Sequence, residues 1–258
     1  MQLCVEVTQK CNLKCDFCLT REGSNESLSL DRIIEAIEER NITKLLFSGG
    51  EPLLRNDLFV MVTELRKRYD QLFISISTHG LFKSKMLRLA DYINQIDISV
   101  PTLNQNTYVN MRGGGSVEKL KKNILSLQGQ RIHVRVNHMI TSINLVDWKD
   151  VLAWCNYKID SVRITQYWPL REAYYQRRKF EISEEVLEKQ IEEIKMKDYS
   201  FYILYPFEDI NELTEDYLVM DSNGRLFYPG YGKKHYLNND ADNLHLMKNS
   251  LELKTLPG

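Results

Sequence analysis

Three cysteines, Cys11, Cys15 and Cys18, lie within eight residues of a 258-residue chain that has five cysteines in all. Thiolates suit iron–sulfur clusters or zinc, and three of them can hold three corners of a cubane cluster while one iron stays open. A structural zinc site normally has four ligands. The candidates for a fourth ligand, Cys4 and His79, belong to other segments. The spacing therefore favours a cluster with an open iron over zinc.

A second motif, Gly49-Gly50-Glu51-Pro52, follows an apolar run at 44–47. Glycines let the backbone approach a ligand closely, and a carboxylate accepts a hydrogen bond from an ammonium group. Both motifs come directly after a predicted strand. Because ligands bind at the carboxyl ends of the strands in parallel α/β sheets, we expect the two motifs to form one site.

The elements that must position these motifs are βα units. Short apolar runs alternate with amphipathic helical segments, which is typical of a parallel sheet. Strands are predicted at 3–7, 44–47, 72–77, 96–100, 131–138 and 161–166, followed by a charged helix at 184–197, a strand at 200–205 and a hairpin over 217–228. We predict the α/β class, with an incomplete (β/α)6 parallel barrel and a small C-terminal strand and hairpin extension. The predicted domains are a core over 1–180 and a C-terminal helix, hairpin and tail over 181–258 packed on it.

Composition excludes several classes of protein. The formal net charge is -1 with both signs mixed along the chain, so we expect no nucleic-acid polymer as a partner. No stretch approaches the roughly 20 apolar residues of a membrane span, and no leader pattern is visible, so we expect a cytoplasmic protein. Five cysteines are too few for a disulfide scaffold. Cys4 and Cys155 lie in apolar runs and are predicted to be buried.

CxxxCxxC with Phe17 before its last cysteine, followed by GGEP at the end of the second strand, resembles the radical S-adenosylmethionine (SAM) superfamily over roughly residues 2–170. The resemblance implies two cofactors, a 4Fe–4S cluster and SAM. It also implies a reaction in which the reduced cluster cleaves SAM to methionine and a 5'-deoxyadenosyl radical, which takes a hydrogen atom from the substrate. An external electron donor such as flavodoxin or ferredoxin is implied as a partner.

The same resemblance assigns further residues to the cofactor site. His79 stands where many members carry an asparagine, so the neighbouring Thr78 is favoured for contact with SAM. Each assignment has an ordinary structural alternative, such as a cap or a turn. The implied cofactor-binding residues are Phe17, Gly49, Gly50, Glu51, Pro52, Thr78, Ser99, Arg112, Asn137 and Gln166, beside the cluster ligands Cys11, Cys15 and Cys18.

The substrate is less constrained. Segments 47–52, 134–138 and 216–220 resemble viperin and its prokaryotic counterparts, which implies dehydration of a nucleoside triphosphate. Arg135 and Arg163 are the candidate substrate-binding residues, and a basic run at 171–179 is either a further anion site or a solvated face. Two alternatives stay open, namely radical modification of a ribosomal peptide and a noncatalytic zinc-binding module.

Overall fold

The computed structural model describes residues 1–19, 28–169, 171–204, 217–228 and 235–236. The strands are β1 (Gln2–Thr8), β2 (Lys44–Gly49), β3 (Phe73–Thr78), β4 (Gln95–Ser99), β5 (His133–Ile140), β6 (Ser161–Gln166), β7 (Tyr202–Leu204), β8 (Tyr217–Met220), β9 (Leu226–Tyr228) and β10 (His235–Tyr236). The α-helices are α1 (Leu30–Arg40), α2 (Leu58–Arg68), α3 (Lys83–Leu89), α4 (Gln105–Arg112), α5 (Val117–Leu125), α6 (Trp148–Cys155), α7 (Arg177–Phe180) and α8 (Glu184–Lys195). Two 3₁₀ helices cover Pro52–Leu54 and Arg171–Gln176.

All described strands form one sheet in the order β10-β9-β8-β1-β2-β3-β4-β5-β6-β7. Strands β8 and β1 to β7 are parallel, and β9 and β10 add antiparallel pairs beyond β8. The predicted α/β class with a parallel partial barrel is confirmed. The predicted strand at 200–205 forms as β7, and the predicted hairpin over 217–228 forms as β8 and β9. That β7 and β8 pair in parallel with β6 and β1 was not predicted.

The two faces of the sheet differ in chemistry. On β1, Leu3, Val5 and Val7 are fully buried against the helices. The opposite face, here called the inner face, carries polar residues at alternate positions, such as Glu6 on β1 and Asp97 on β4, and both are buried. A strand alternates its side chains between faces with a period of two. Apolar packing therefore holds the helices on one face, while the inner face is left for polar chemistry.

Helix α1 shows how the helical layer is fixed. Ser29 caps it by accepting a hydrogen bond from the backbone N–H of Arg32, and Asn41 ends it in the left-handed conformation. Its buried residues Ile33 and Ile37 lie on one stripe, and each buried isoleucine contributes roughly 1.5–3 kcal/mol.

Two smaller predictions are tested by burial. Cys4 and Cys155 are buried, at 6% and 0% exposure, as expected.

The predicted tail from Gly230 lies outside the described residues, apart from β10. In the part of the chain that the structure describes, no helix has the length and apolar character needed to cross a bilayer. The domain boundary at residue 180 stays a prediction.

Candidate active site

The cysteine loop follows β1 and is tied to the end of α4. The backbone N–H of Lys14 donates to the carbonyl oxygen of Arg112 at 2.9 Å, and that of Asp16 donates to the carbonyl oxygen of Met111 at 3.2 Å. On its other side, the Asp16 carboxylate pairs with Lys179 at 2.7 Å. Helix α4 and the segment after β6 thus hold the loop that carries the three thiols.

The two glycines of GGEP pack against protein backbone. A Cβ atom at Gly49 would come within 2.2 Å of the carbonyl oxygen of Thr8, and one at Gly50 within 2.3 Å of that of Lys10. The N–H groups of Gly50 and Glu51 donate to those same two oxygens, at 2.7 and 2.8 Å. The expected close approach therefore exists, but it joins β2 to the chain entering the cysteine loop. Ligand contact at these glycines stays a prediction.

Glu51 is 1% exposed and its carboxylate is already hydrogen-bonded within the protein. It accepts from the backbone N–H of Leu53 at 3.1 Å, from the Thr78 hydroxyl at 2.7 Å and from the backbone N–H of His79 at 2.9 Å. Burial raises the pKa of Glu51 to about 6, although these three hydrogen bonds stabilise the ionised carboxylate and lower the pKa. Glu51 and Thr78 thus join the ends of β2 and β3, a role that the sequence did not reveal, and their contact with SAM stays a prediction. Pro52 is buried at the start of the 3₁₀ helix that follows.

On the opposite side of the site, several buried polar atoms have no hydrogen-bond partner among the described residues. Arg112 is 4% exposed; its Nη2 donates to the carbonyl oxygen of Ser99 at 2.9 Å, while its Nε has no partner among the described residues. The Oδ1 atom of Asn137 and the hydroxyl of Tyr108 are also buried without a partner there. An unsatisfied buried polar group costs about 1–3 kcal/mol, so these atoms fit a polar ligand such as SAM. The sequence analysis missed Tyr108, which carries no motif signal.

Arg112 also sets the charge around the thiols. Its guanidinium lies 5.9 Å from the ring centre of Phe17 and 5.5 Å from that of Tyr108. Burial raises the pKa of Cys15 to about 11, and the Arg112 charge is the largest influence that lowers it. Burial likewise raises the pKa of Cys11. The thiolates that a cluster requires therefore need a compensating metal charge, as expected of a metal site.

Phe17 belongs to a separate apolar cluster above the inner face. Its ring meets that of Phe180 edge to face at 5.9 Å, and Met111 and Tyr167 complete the packing. The predicted aromatic residue of the motif is thus anchored by α4 and by the segment after β6.

Three arginines lie along the inner face, and two of them are neutralised. Arg135 pairs with Asp97 at 2.5 Å, and Arg171 pairs with Glu6. Arg163 has neither an ion-pair nor a hydrogen-bond partner among the described residues, and it is directly paired in the sheet with Asn137. Burial, and then repulsion by Arg135, lower its pKa. Glu6 could have been flagged in sequence as a lone acid within the apolar run of β1.

Not every predicted residue shares this face. Gln166 pairs in register with Ile140, a core residue, so strand alternation places it on the helix-facing side. Thr165 occupies the inner face instead. The prediction of Gln166 within the site is therefore not supported by the register.

The basic run at 171–179 does not gather into one anion site. Arg171 is paired with Glu6, Lys179 with Asp16, and Arg177 lies over the ring of Tyr174 at 3.9 Å. The predicted solvated face does not describe Arg171 either, because its side chain is only 8% exposed.

A zinc centre gains no support from the geometry. Within the described ranges, no three His, Cys, Asp or Glu side chains are placed so that they could hold one metal ion. A cubane cluster spreads its ligands over several irons, so it requires no such single-ion arrangement.

Comparison with known proteins gives the family. A family profile described as the radical SAM superfamily matches residues 5–157. GTP 3',8-cyclase of Peptoclostridium acidaminophilum is 30% identical over 76% of this chain and 65% of its own. A probable GTP 3',8-cyclase of Methanococcus maripaludis is 29% identical over 65% of this chain and 59% of its own. The chain thus spans less than two thirds of these relatives.

Solved structures agree on the fold. Streptococcus suis SuiB bound to precursor peptide SuiA has a TM-score of 0.72 at 18% identity, covering 87% of this chain and 58% of that one. SuiB bound to SAM has a TM-score of 0.69 at 18% identity, with coverage of 87% and 59%. Methylornithine synthase has a TM-score of 0.63 at 17% identity, with coverage of 98% and 81%. At these identities the likeness shows the fold alone.

The cofactor prediction agrees with the family. A 4Fe–4S cluster and SAM are the cofactors of this superfamily, and the structure offers three thiols on one loop beside unpaired buried polar atoms. The profile match over residues 5–157, which include both predicted motifs, shows that the chain belongs to the radical SAM superfamily.

Proposed function

We propose that this chain is a radical SAM enzyme acting on a small anionic substrate, a nucleotide such as GTP. The observation that carries the proposal is Arg163, a half-buried cation on the inner face without an ion-pair partner among the described residues. The names of the similar cyclases support a nucleotide.

The charge of Arg163 favours an anionic ligand. Leaving a guanidinium half-buried and unpaired is unfavourable, whereas a bidentate contact with phosphate or carboxylate stabilises it. Asp97 is already engaged by Arg135, and Glu6 by Arg171. An anionic ligand is therefore the natural partner of Arg163, and Arg135 beside it adds to the positive potential.

The cofactors have defined candidate ligands in this chain. Cys11, Cys15 and Cys18 would hold the cluster, and Arg112 with Asn137 would bind SAM, with help from Ser99 and Tyr108. When bound, the reduced cluster and SAM together supply the radical that abstracts hydrogen. The protein residues then have to bind, orient and exclude water, because the cofactors carry the difficult chemistry. Cys11 is exposed, so an external electron donor such as flavodoxin or ferredoxin could reach this part of the cysteine loop.

The viperin-like dehydration expected from sequence is not kept. The similar proteins reported above are named as cyclases of GTP, which supports a nucleotide substrate and gives no support to dehydration. For a peptide substrate, the likeness to SuiB supports only the fold. The zinc module has no support in the ligand geometry of the described residues.

The experiment is an anaerobic assay of 5'-deoxyadenosine release by the reconstituted enzyme, with GTP, ATP, CTP or UTP, in wild type, Arg163→Ala and Arg163→Lys. We expect stimulation by a nucleotide and a KM at least about 10-fold higher in Arg163→Ala, because a charge-assisted hydrogen bond contributes about 1.5–3 kcal/mol. Arg88→Ala, in which the altered guanidinium lies over the surface ring of Phe59, is the matched control. Absence of stimulation by every nucleotide, or an unchanged KM in Arg163→Ala, would contradict the proposal.

A further inference from the structure

His79 stands at the end of β3 and connects that strand to the cysteine loop. Its Nε2 lies 2.8 Å from the Oδ1 atom of Asn12, the residue directly after Cys11. Its Nδ1 accepts a hydrogen bond from the backbone N–H of Leu81 at 3.1 Å. Because Nδ1 acts as an acceptor, the ring proton of the neutral histidine resides on Nε2, and the ring donates to Asn12.

The turn that carries His79 is held by several hydrogen bonds. The backbone N–H of His79 donates to Glu51, and the Thr78 hydroxyl both donates to Glu51 and accepts from the N–H of Gly80 at 3.1 Å. Gly80 has a positive φ of 77°, and a Cβ atom there would come within 2.6 Å of the Leu120 side chain, so this turn favours glycine. His79 itself is 5% exposed. The imidazole is thus held in one orientation by groups from β2 and β3.

The far end of the contact is the turn that bears the first cluster ligand. The backbone N–H of Leu13 lies 3.4 Å from the sulfur of Cys11 and donates to it. Asn12 lies between these two residues and is exposed, so its side chain is oriented by His79 rather than by burial. Fixing Asn12 therefore fixes the N–H that points at the Cys11 sulfur.

We infer that His79 is a positioning residue for the cluster: through Asn12 it holds the turn of Cys11 to Leu13 in the conformation that accepts iron. The Nδ1 atom of His79 accepts from Leu81, and its Nε2 atom lies 2.8 Å from Asn12 and 3.3 Å from the Glu51 carboxylate, so His79 acts through Asn12 and is not a ligand itself. Residues that orient metal ligands through hydrogen bonds typically affect metal affinity by about 10–100-fold. The inference deepens the proposed function through its cluster and does not depend on the identity of the substrate.

The test is anaerobic titration of the apo chain with iron and sulfide, followed by the EPR spectrum of the reduced cluster. We compare wild type, His79→Ala, Asn12→Ala, the double variant and Asn12→Asp. We expect His79→Ala and Asn12→Ala each to weaken cluster retention against a chelator by about 10-fold and to change the EPR spectrum. The double variant should be no worse than either single one. Asn12→Asp keeps an acceptor for the ring N–H and should retain iron like wild type.

Controls separate this role from folding. His133→Ala removes a histidine that contacts Ser161 at the other end of the sheet, and it should leave iron retention unchanged. If His79→Ala proves unstable, the exposed Asn12→Ala alone decides the question. Wild-type iron retention and EPR spectrum in Asn12→Ala, or additive losses in the double variant, would overturn the inference. Neither iron retention nor the EPR spectrum requires a substrate, so a failed nucleotide assay would not contradict the inference about His79.

Discussion

The two halves of the region at the carboxyl ends of the strands use their polar groups differently. At the ends of β2 and β3, Glu51, Thr78 and His79 satisfy one another and hold the cysteine loop. At the ends of β4 and β5 and at the end of α4, the Oδ1 of Asn137 and the Nε of Arg112 are buried without partners among the described residues. Both halves carry residues that resemble family motifs. The closed half is thus held together by its own hydrogen bonds, and we expect ligands to contact the open half.

Arg112→Ala should give the largest effect of a single change in the open half. It removes a buried cation beside the thiols and an unpaired donor, so we expect SAM affinity to fall by about 100-fold. Anaerobic calorimetry of SAM binding to the reconstituted protein measures this. Arg112→Lys keeps the charge without the planar group and should give an intermediate value. If Arg112→Ala binds SAM as tightly as wild type, the open half is not the part that binds this ligand.

Thr78→Val tests the closed half. It deletes a buried hydroxyl that donates to Glu51 and accepts from Gly80, so the free energy of unfolding of the apo chain should fall by about 2 kcal/mol. Urea denaturation measures this loss. SAM affinity, measured on the reconstituted protein, should change less than twofold. A large loss of SAM affinity with unchanged stability would show instead that Thr78 is a ligand.

Asn137→Ala is the reciprocal change in the open half. The Oδ1 atom has no internal partner to lose, so stability should stay within about 0.5 kcal/mol. SAM affinity should fall by about 10-fold, because one hydrogen bond is worth about 1 kcal/mol. The same calorimetric and urea measurements apply. If Asn137→Ala instead destabilises the chain without weakening SAM binding, both halves are structural.

The pH dependence of stability is a further test of these buried groups. Burial lowers the pKa of His79 to about 3 and that of His138 to about 4, both from 6.5. The unfolded chain binds these protons first, so folding stability is lost as the pH falls from 6.5 towards 4. The raised pKa of Glu51 acts in the opposite direction between 4.5 and about 6 and reduces the net slope.

Urea denaturation of the apo chain at pH 7 and pH 5 measures this dependence. His138→Gln removes one of the two histidine contributions without touching the cysteine loop. We expect a smaller difference between the two pH values in that variant. An unchanged difference would mean that His138 does not titrate abnormally.

The sequence predicted the order of elements well, because strand and helix periodicities are local. Strand β6 was predicted over 161–166 and forms there. The adjacency of β8 to β1 was not predicted, since it joins segments at opposite ends of the chain. The cysteine and GGEP motifs were identified as chemical, but the partners of Glu51 depend on the parallel register of β2 and β3. The register of Gln166 with Ile140 also depends on how β5 and β6 pair, so its contact with the cofactor stays a prediction.

The most direct test of the account is reconstitution with iron and sulfide under anaerobic conditions, followed by an assay of 5'-deoxyadenosine release from SAM with reductant. Cys15→Ala is the comparison. We predict four irons per chain and 5'-deoxyadenosine release in wild type, and loss of both in Cys15→Ala. Retention of zinc at the cysteines without iron, or release of 5'-deoxyadenosine that persists in Cys15→Ala, would contradict the central claim.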